Sequence, residues 1–150
     1  MNISGMVHVN INCSDYDQSR SFYEMLGFEA IWSVPTTNTA AVAAAVGMPP
    51  YRVKGALLAL KGATPALVID LLEWQEPNDV AAPYGHLYHL GISRLALRTT
   101  DIDADYAFLK AQGVDILSPP ATVAIDADHG SRFFCFQDPD GTFLELVETY

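Results

Sequence analysis

The sequence predicts an α+β fold made of two tandem βαβββ modules, each curling its sheet around a concave surface. Two internal matches carry this. Residues 7–29, VHVNINCSDYDQSRSFYEMLGFE, lie without a gap on residues 93–115, SRLALRTTDIDADYAFLKAQGVD, so that Asp15 falls on Asp101, Asp17 on Asp103, Phe22 on Phe108 and Gly27 on Gly113. Downstream, LVIDLLE (67–73) lies on TFLELVE (142–148). Self-similarity in the same order along the chain means one structural unit used twice.

The elements follow in order. Residues 7–13 alternate, with Val7, Val9, Ile11 and Cys13 on one side and His8, Asn10 and Asn12 on the other, as in a half-buried strand. Ser14, with Asp17 three residues on, marks a helix start. Tyr16, Phe22, Tyr23 and Leu26 recur at helical spacing until Gly27 stops the helix. In the copy, strand 93–99 leads to Thr100 and Asp103 at a helix start, with Ile102, Phe108 and Leu109 on the buried face and Gly113 at the end. Strands are then expected near 28–33, 55–61 and 66–73, and near 114–117, 132–137 and 142–148. DPDG (138–141) reads as the tight turn before the last strand, with Gly141 free to take positive φ. The first half is longer, and its extra residues fall at 34–54, where NTAAVAAAVGMPP predicts a short helix over about 38–46, taken as a wall or lid. The domains are thus a first module at 1–75 with a helical insertion at about 34–54, a linker at 76–92 rich in Pro, Gly, Tyr and His, and a second module at 93–150.

Composition narrows the function. Half of the 150 residues are apolar, enough for a real core, yet no apolar run is long enough to span a bilayer. The formal net charge of −10 argues against nucleic acid, which needs clustered Lys and Arg. The two cysteines, Cys13 and Cys135, do not make a disulfide framework and are expected as buried thiols on or near the helix-facing side; a cytoplasmic setting is the simplest. The N-terminus lacks the pattern of a secretory signal.

Four polar positions stand out. Helix packing claims the Val7, Val9 and Ile11 side of the first strand, so His8 points to the concave side, and by the repeat so does Arg94. Asp70 and Glu145 sit at equivalent positions inside apolar strands, where an acid is costly unless paired, metal-bound or solvated in a cavity. The expectation is that His8, Asp70, Arg94 and Glu145 gather around one pocket. Asn10 shares the face of His8, Arg98 that of Arg94, and Phe143 that of Glu145, which makes these three candidate substrate-binding residues. Two arginines on one face suit a carboxylate, enolate or phosphate. His86 and His89, in the linker with Tyr84 and Tyr88, have an H-x-x-H spacing that is only weak evidence for metal and is read as surface or hinge packing.

The paired modules, the FYEMLGF helix end, VIDLLE, DPDG and FLELVE resemble the vicinal oxygen chelate superfamily of glyoxalases, bleomycin-resistance proteins and extradiol dioxygenases. The resemblance implies an open, cup-shaped mixed sheet and a homodimer. In metal-dependent members, ligands come from the first and fourth strands of each module, which here implies His8, Asp70, Arg94 and Glu145. Arg94 departs from that pattern, because a guanidinium has no lone pair to give. His8, Asp70 and Glu145 would remain as ligands for a single divalent metal ion; the metal-free arrangement, with Arg94 in place of the ion, is favoured. The resulting expectation is a glyoxalase-like lyase, isomerase or epimerase that stabilises an enolate, with Glu145 or Asp70 as base, Arg94 at the oxyanion and His8 orienting substrate. An extradiol dioxygenase is disfavoured, since Arg94 replaces a histidine of its iron triad. The alternative is a metal-free small-molecule binding protein of the bleomycin-resistance type.

Overall fold

The computed structural model describes residues 1–150, and the chain divides into two compact units, Met1–Ala81 and Ala82–Tyr150. The first contains β1 (Val9–Asn12), α1 (Tyr16–Met25), β2 (Phe28–Ser33), α2 (Ala40–Ala45), β3 (Arg52–Leu60) and β4 (Val68–Glu76). The second contains β5 (Leu95–Arg98), α3 (Ile102–Ala111), β6 (Ala121–Ala124), β7 (Gly130–Gln137) and β8 (Phe143–Thr149). Each unit forms a four-stranded mixed sheet with equivalent strand order, β1-β4-β3-β2 and β5-β8-β7-β6. In both, the first strand runs parallel to the last and the remaining pairs are antiparallel. The predicted α+β architecture of two βαβββ modules is therefore present, with α2 as the insertion in the first. No helix is long and apolar enough to cross a membrane.

Helices α1 and α3 are each started by an aspartate. The Asp15 carboxylate accepts from the backbone N–H groups of Asp17 and Gln18 at 2.9 and 3.0 Å, and that of Asp101 accepts from Ala104 N–H at 3.0 Å. The caps thus fall one residue after Ser14 and Thr100, where the sequence signal put them. An ionised carboxylate is the stronger acceptor and suits the positive helix end. The Glu73 carboxylate, from β4, adds a further acceptor for Tyr16 N–H at 2.9 Å. Both helices end just before a glycine at positive φ, Gly27 at 96° and Gly113 at 74°, a conformation that strains other residues. Thr39 caps α2 through Val42 N–H at 3.3 Å. The DPDG turn is held by the Asp138 carboxylate, which accepts from Asp140 and Thr142 N–H at 3.0 and 2.8 Å.

Helix α1 and its sheet bury Tyr23, Leu58, Ile69 and Leu71, while the α3 side of the second sheet buries Ile102, Leu109, Phe134, Phe136 and Leu144. Three expectations need correction. Phe108 is 47% exposed, because Leu109 takes the sheet-facing position and its neighbour points about 100° away on the helix. Val7 precedes β1 and is exposed. The strand expected at 114–117 reduces to one bridge, Ile116 to Phe136, and the edge strand of the second sheet is β6, beyond Pro119 and Pro120. Two prolines in a row have no N–H to give and interrupt the ladder.

Gly55 sits where β3 meets β4. A Cβ at this position would lie 2.3 Å from the Leu71 carbonyl oxygen and 2.6 Å from Leu72 Cδ2. A backbone oxygen cannot swing aside, so Gly55→Ala is expected to destabilise the protein by about 1–3 kcal/mol in urea unfolding. Unchanged stability would show that β3 and β4 can part at this point.

Candidate functional site

Strand register builds a polar group in each unit. In the first, Asn10 lies beside Asp70 in the parallel β1–β4 pair, on the face opposite Ile11, Ile69 and Leu71. Asn10 Nδ2 donates to the Asp70 carboxylate and to the Asp70 carbonyl, both at 3.2 Å. His8, just ahead of β1, places Nε2 4.0 Å from Asp70 Oδ2, the outer limit of an ion pair. The other oxygen, Asp70 Oδ1, is buried and accepts no hydrogen bond. Leaving such an acceptor unmatched costs about 1–3 kcal/mol, so a donor brought by a ligand would be welcomed there. Farther along, Trp74 Nε1 donates to Asn12 Oδ1 at 2.9 Å, and Tyr51 packs against the Trp74 ring at 4.9 Å.

In the second unit, Ala96 pairs with Glu145 in the parallel β5–β8 register, which puts Arg94 and Arg98 on the face of Phe143 and Glu145. Glu145 and Phe143 are buried and Arg98 is exposed. Arg94 Nε donates to Glu145 Oε2. The pair uses Nε alone, and the two terminal amino groups of Arg94 hold no protein partner. With the Arg94 side chain 40% exposed, those amino groups are open to a ligand.

Cys135 belongs to this group, contrary to the expectation that it would face or border the helix. It pairs with Glu145 in the antiparallel β7–β8 register, and its thiol donates to the same Oε2 at 3.8 Å. The signal was available: a tight DPDG turn sets Gln137 opposite Phe143, and stepping back two residues on each strand gives Cys135 opposite Glu145. Burial pushes the Cys135 thiol up, the Glu145 charge adds to this and Arg94 opposes it, so the thiol stays protonated near neutral pH and acts as a donor. Two donors on Oε2 fix the Glu145 carboxyl and direct Oε1 elsewhere.

The structure thus joins Asp70 with His8 and Asn10, and Glu145 with Arg94 and Cys135. The second unit's positions do not fit a metal ion. Arg94 offers no lone pair, and its guanidinium holds the Glu145 oxygen that an ion would require. Within either unit, no three His, Cys, Asp or Glu side chains are grouped to hold one.

The thiol reports on this arrangement. Removing the carboxylate charge in Glu145→Gln is expected to lower the Cys135 pKa and speed its alkylation at mildly alkaline pH. Arg94→Met is expected to raise the pKa and slow it. Peptide mass spectrometry after iodoacetamide treatment across a pH series separates Cys135 from Cys13. Identical profiles in all three proteins would mean that the three side chains are not in contact.

Comparison with known proteins agrees with this architecture. The chain resembles a glyoxalase family protein of Bacillus cereus at 19% identity and a TM-score of 0.81, over 99% of this chain and 96% of that one. It resembles a glyoxalase family protein of Enterococcus faecalis at 27% identity and a TM-score of 0.66, over 99% and 100%. It also resembles the fosfomycin resistance protein FosX of Listeria monocytogenes at 19% identity and a TM-score of 0.61, over 97% and 93%. No curated protein matches it. A family model matches residues 5–146, and on that match the chain belongs to the Glyoxalase/Bleomycin resistance protein/Dioxygenase superfamily.

Proposed function

We propose that this protein is a glyoxalase-like enzyme, of the lyase, isomerase or epimerase type, which stabilises an enolate-like intermediate through Arg94 rather than through a metal ion. One observation carries the reading. Arg94 is anchored to buried Glu145 through Nε alone, so its terminal amino groups are positioned and unclaimed.

A substrate carbonyl oxygen would accept from those amino groups. Glu145 Oε1 would then remove the proton from the adjacent carbon. The C–H electron pair becomes the new C=C bond, the carbonyl π pair moves onto oxygen, and the fixed guanidinium charge stabilises the oxyanion. Arginine stays protonated throughout, so the proton rests on Glu145 and returns from it to carbon. Arg98, on the same face, suits an anionic substituent of the substrate, and Phe143 an apolar one. In the first unit, Asp70 Oδ1 suits an N–H or O–H of a ligand, with Asn10 and His8 holding the carboxylate. The resemblance to FosX, a fosfomycin resistance protein, supports a small-molecule substrate. The family membership supports a homodimer, and a chain with only two cysteines suits a cytoplasmic setting.

The second reading is a binding protein that sequesters an aromatic compound without turnover. The unmatched Asp70 Oδ1 and the Tyr51–Trp74 pair favour it.

Deuterium uptake from solvent into a panel of α-hydroxy ketones and acyl thioesters, followed by NMR, decides between them. Exchange is expected to persist in EDTA. It should fall at least about 100-fold in Glu145→Gln and by about 100-fold or more in Arg94→Met, with folding checked by circular dichroism. Exchange abolished by EDTA would overturn the metal-free assignment. If nothing in the panel exchanges while one compound raises the Tm, the protein is a binder.

A further inference from the structure

The segment that precedes β5 carries a second polar cluster, which the proposed chemistry does not use. His89 N–H donates to the His86 carbonyl at 3.3 Å, closing a turn between the two residues. Each ring is held by a tyrosine. Tyr84 stacks on His89 at 3.9 Å with 7° between the planes, and Tyr88 stacks on His86 at 3.9 Å with 24°. The imidazole centroids are 5.8 Å apart. These residues are almost all exposed, with Tyr88 at 84%, so core burial is not what orders the rings.

His89 Nδ1 lies 3.2 Å from the Leu90 carbonyl oxygen. A carbonyl only accepts, so Nδ1 carries the hydrogen and Nε2 of the neutral ring carries the lone pair. A histidine that ligates a metal usually has this arrangement, one nitrogen donating to an oxygen so that the other is fixed as the ligand. His86 makes no ring hydrogen bond and has either nitrogen to give.

The spacing agrees. Two imidazoles that each bind one ion at ~2.1 Å have centroids about 5.3 Å apart at a tetrahedral angle and about 6.5 Å apart when opposed. The observed 5.8 Å lies between these. No third His, Cys, Asp or Glu completes the group, so solvent would fill the remaining positions.

We propose that His86 and His89 form a two-imidazole site for a borderline divalent transition ion, with copper(II) bound more tightly than nickel(II) or zinc(II), and magnesium and calcium rejected. The tyrosines act as walls that hold the rings. The site is independent of the Arg94–Glu145 chemistry.

The full-length protein, stripped with EDTA, is titrated with copper(II) chloride, nickel(II) chloride, zinc(II) chloride and magnesium chloride. Calorimetry gives affinity, and the imidazole NMR signals locate the ion. The expected result is selective broadening of His86 and His89 by substoichiometric copper(II), while His8 and His129 stay sharp. His86→Gln and His89→Gln should each weaken binding at this site by about tenfold or more, and His8→Gln should leave it unchanged. The substitutions lie in an exposed segment, and circular dichroism confirms that each variant is folded. Broadening that begins at His8 or His129, an affinity untouched by His89→Gln, or equal binding of magnesium overturns the proposal.

Discussion

The parallel pairing of the first strand of each unit with its last is the constraint on which the rest depends. β1 and β4 are far apart in sequence, as are β5 and β8, and neither pair can form until the intervening elements have folded back. Once formed, the register is equivalent in the two halves, Asn10 beside Asp70 and Ala96 beside Glu145. That register carries residue 8 toward residue 70 and residue 94 toward residue 145. A slip by one residue on either strand would turn the acid toward the helix and into an apolar core. The alternating leucines and isoleucines of β4 and β8 therefore do more than fill the interior. By locking the phase of the strand, they decide which way the acid faces.

The same backbone position supports two different chemistries. In the first unit a histidine stands at the edge of ion-pair distance from its acid, an asparagine supplies the close contact, and one carboxylate oxygen is left without a donor. In the second, a guanidinium and a thiol both converge on one oxygen of the acid. The first group has unfilled accepting capacity and the second has unfilled donating capacity, on Arg94. The two groups therefore suit different chemistry, the first an N–H or O–H, the second an oxygen that carries or develops negative charge. The overall charge of −10 makes an exposed guanidinium face a local exception, and so a place where an anionic group would be drawn.

Much of this was legible in the sequence, because the duplication made positions comparable in pairs. The equivalence of His8 with Arg94, and of Asp70 with Glu145, comes from alignment of the halves; Arg94 bonds Glu145, while His8 only approaches Asp70, at 4.0 Å. What escaped was set by competition between local signals. Ser14 and Thr100 are good caps by type, but each is followed by an aspartate that caps better. β7 contains the run FFCF, apolar on both faces, so composition does not give its phase and does not show that Cys135 faces away from the helix; only the turn register resolves it. The strand expected at 114–117 failed because the proline pair moved the edge of the sheet. The stacked rings of Tyr84, His86, Tyr88 and His89 follow from a single turn hydrogen bond, which no periodicity announces.

Each unit buries its own apolar layer, one around Tyr23, Leu58, Ile69 and Leu71, the other around Ile102, Leu109, Phe134 and Leu144. The polar positions lie on the opposite face of each sheet, so a change at one of them leaves the core intact. Replacing a histidine by Arg94 at the repeat-equivalent position thus asks nothing of Leu95 or Leu97, which alternate with it and pack on the other side. It does ask something of Glu145, whose buried carboxylate must be neutralised by whatever stands opposite. A guanidinium does this permanently, through a fixed charge, where an ion would do it reversibly. On the function proposed above, chemistry in the second unit would rest on that fixed charge rather than on a metal supply.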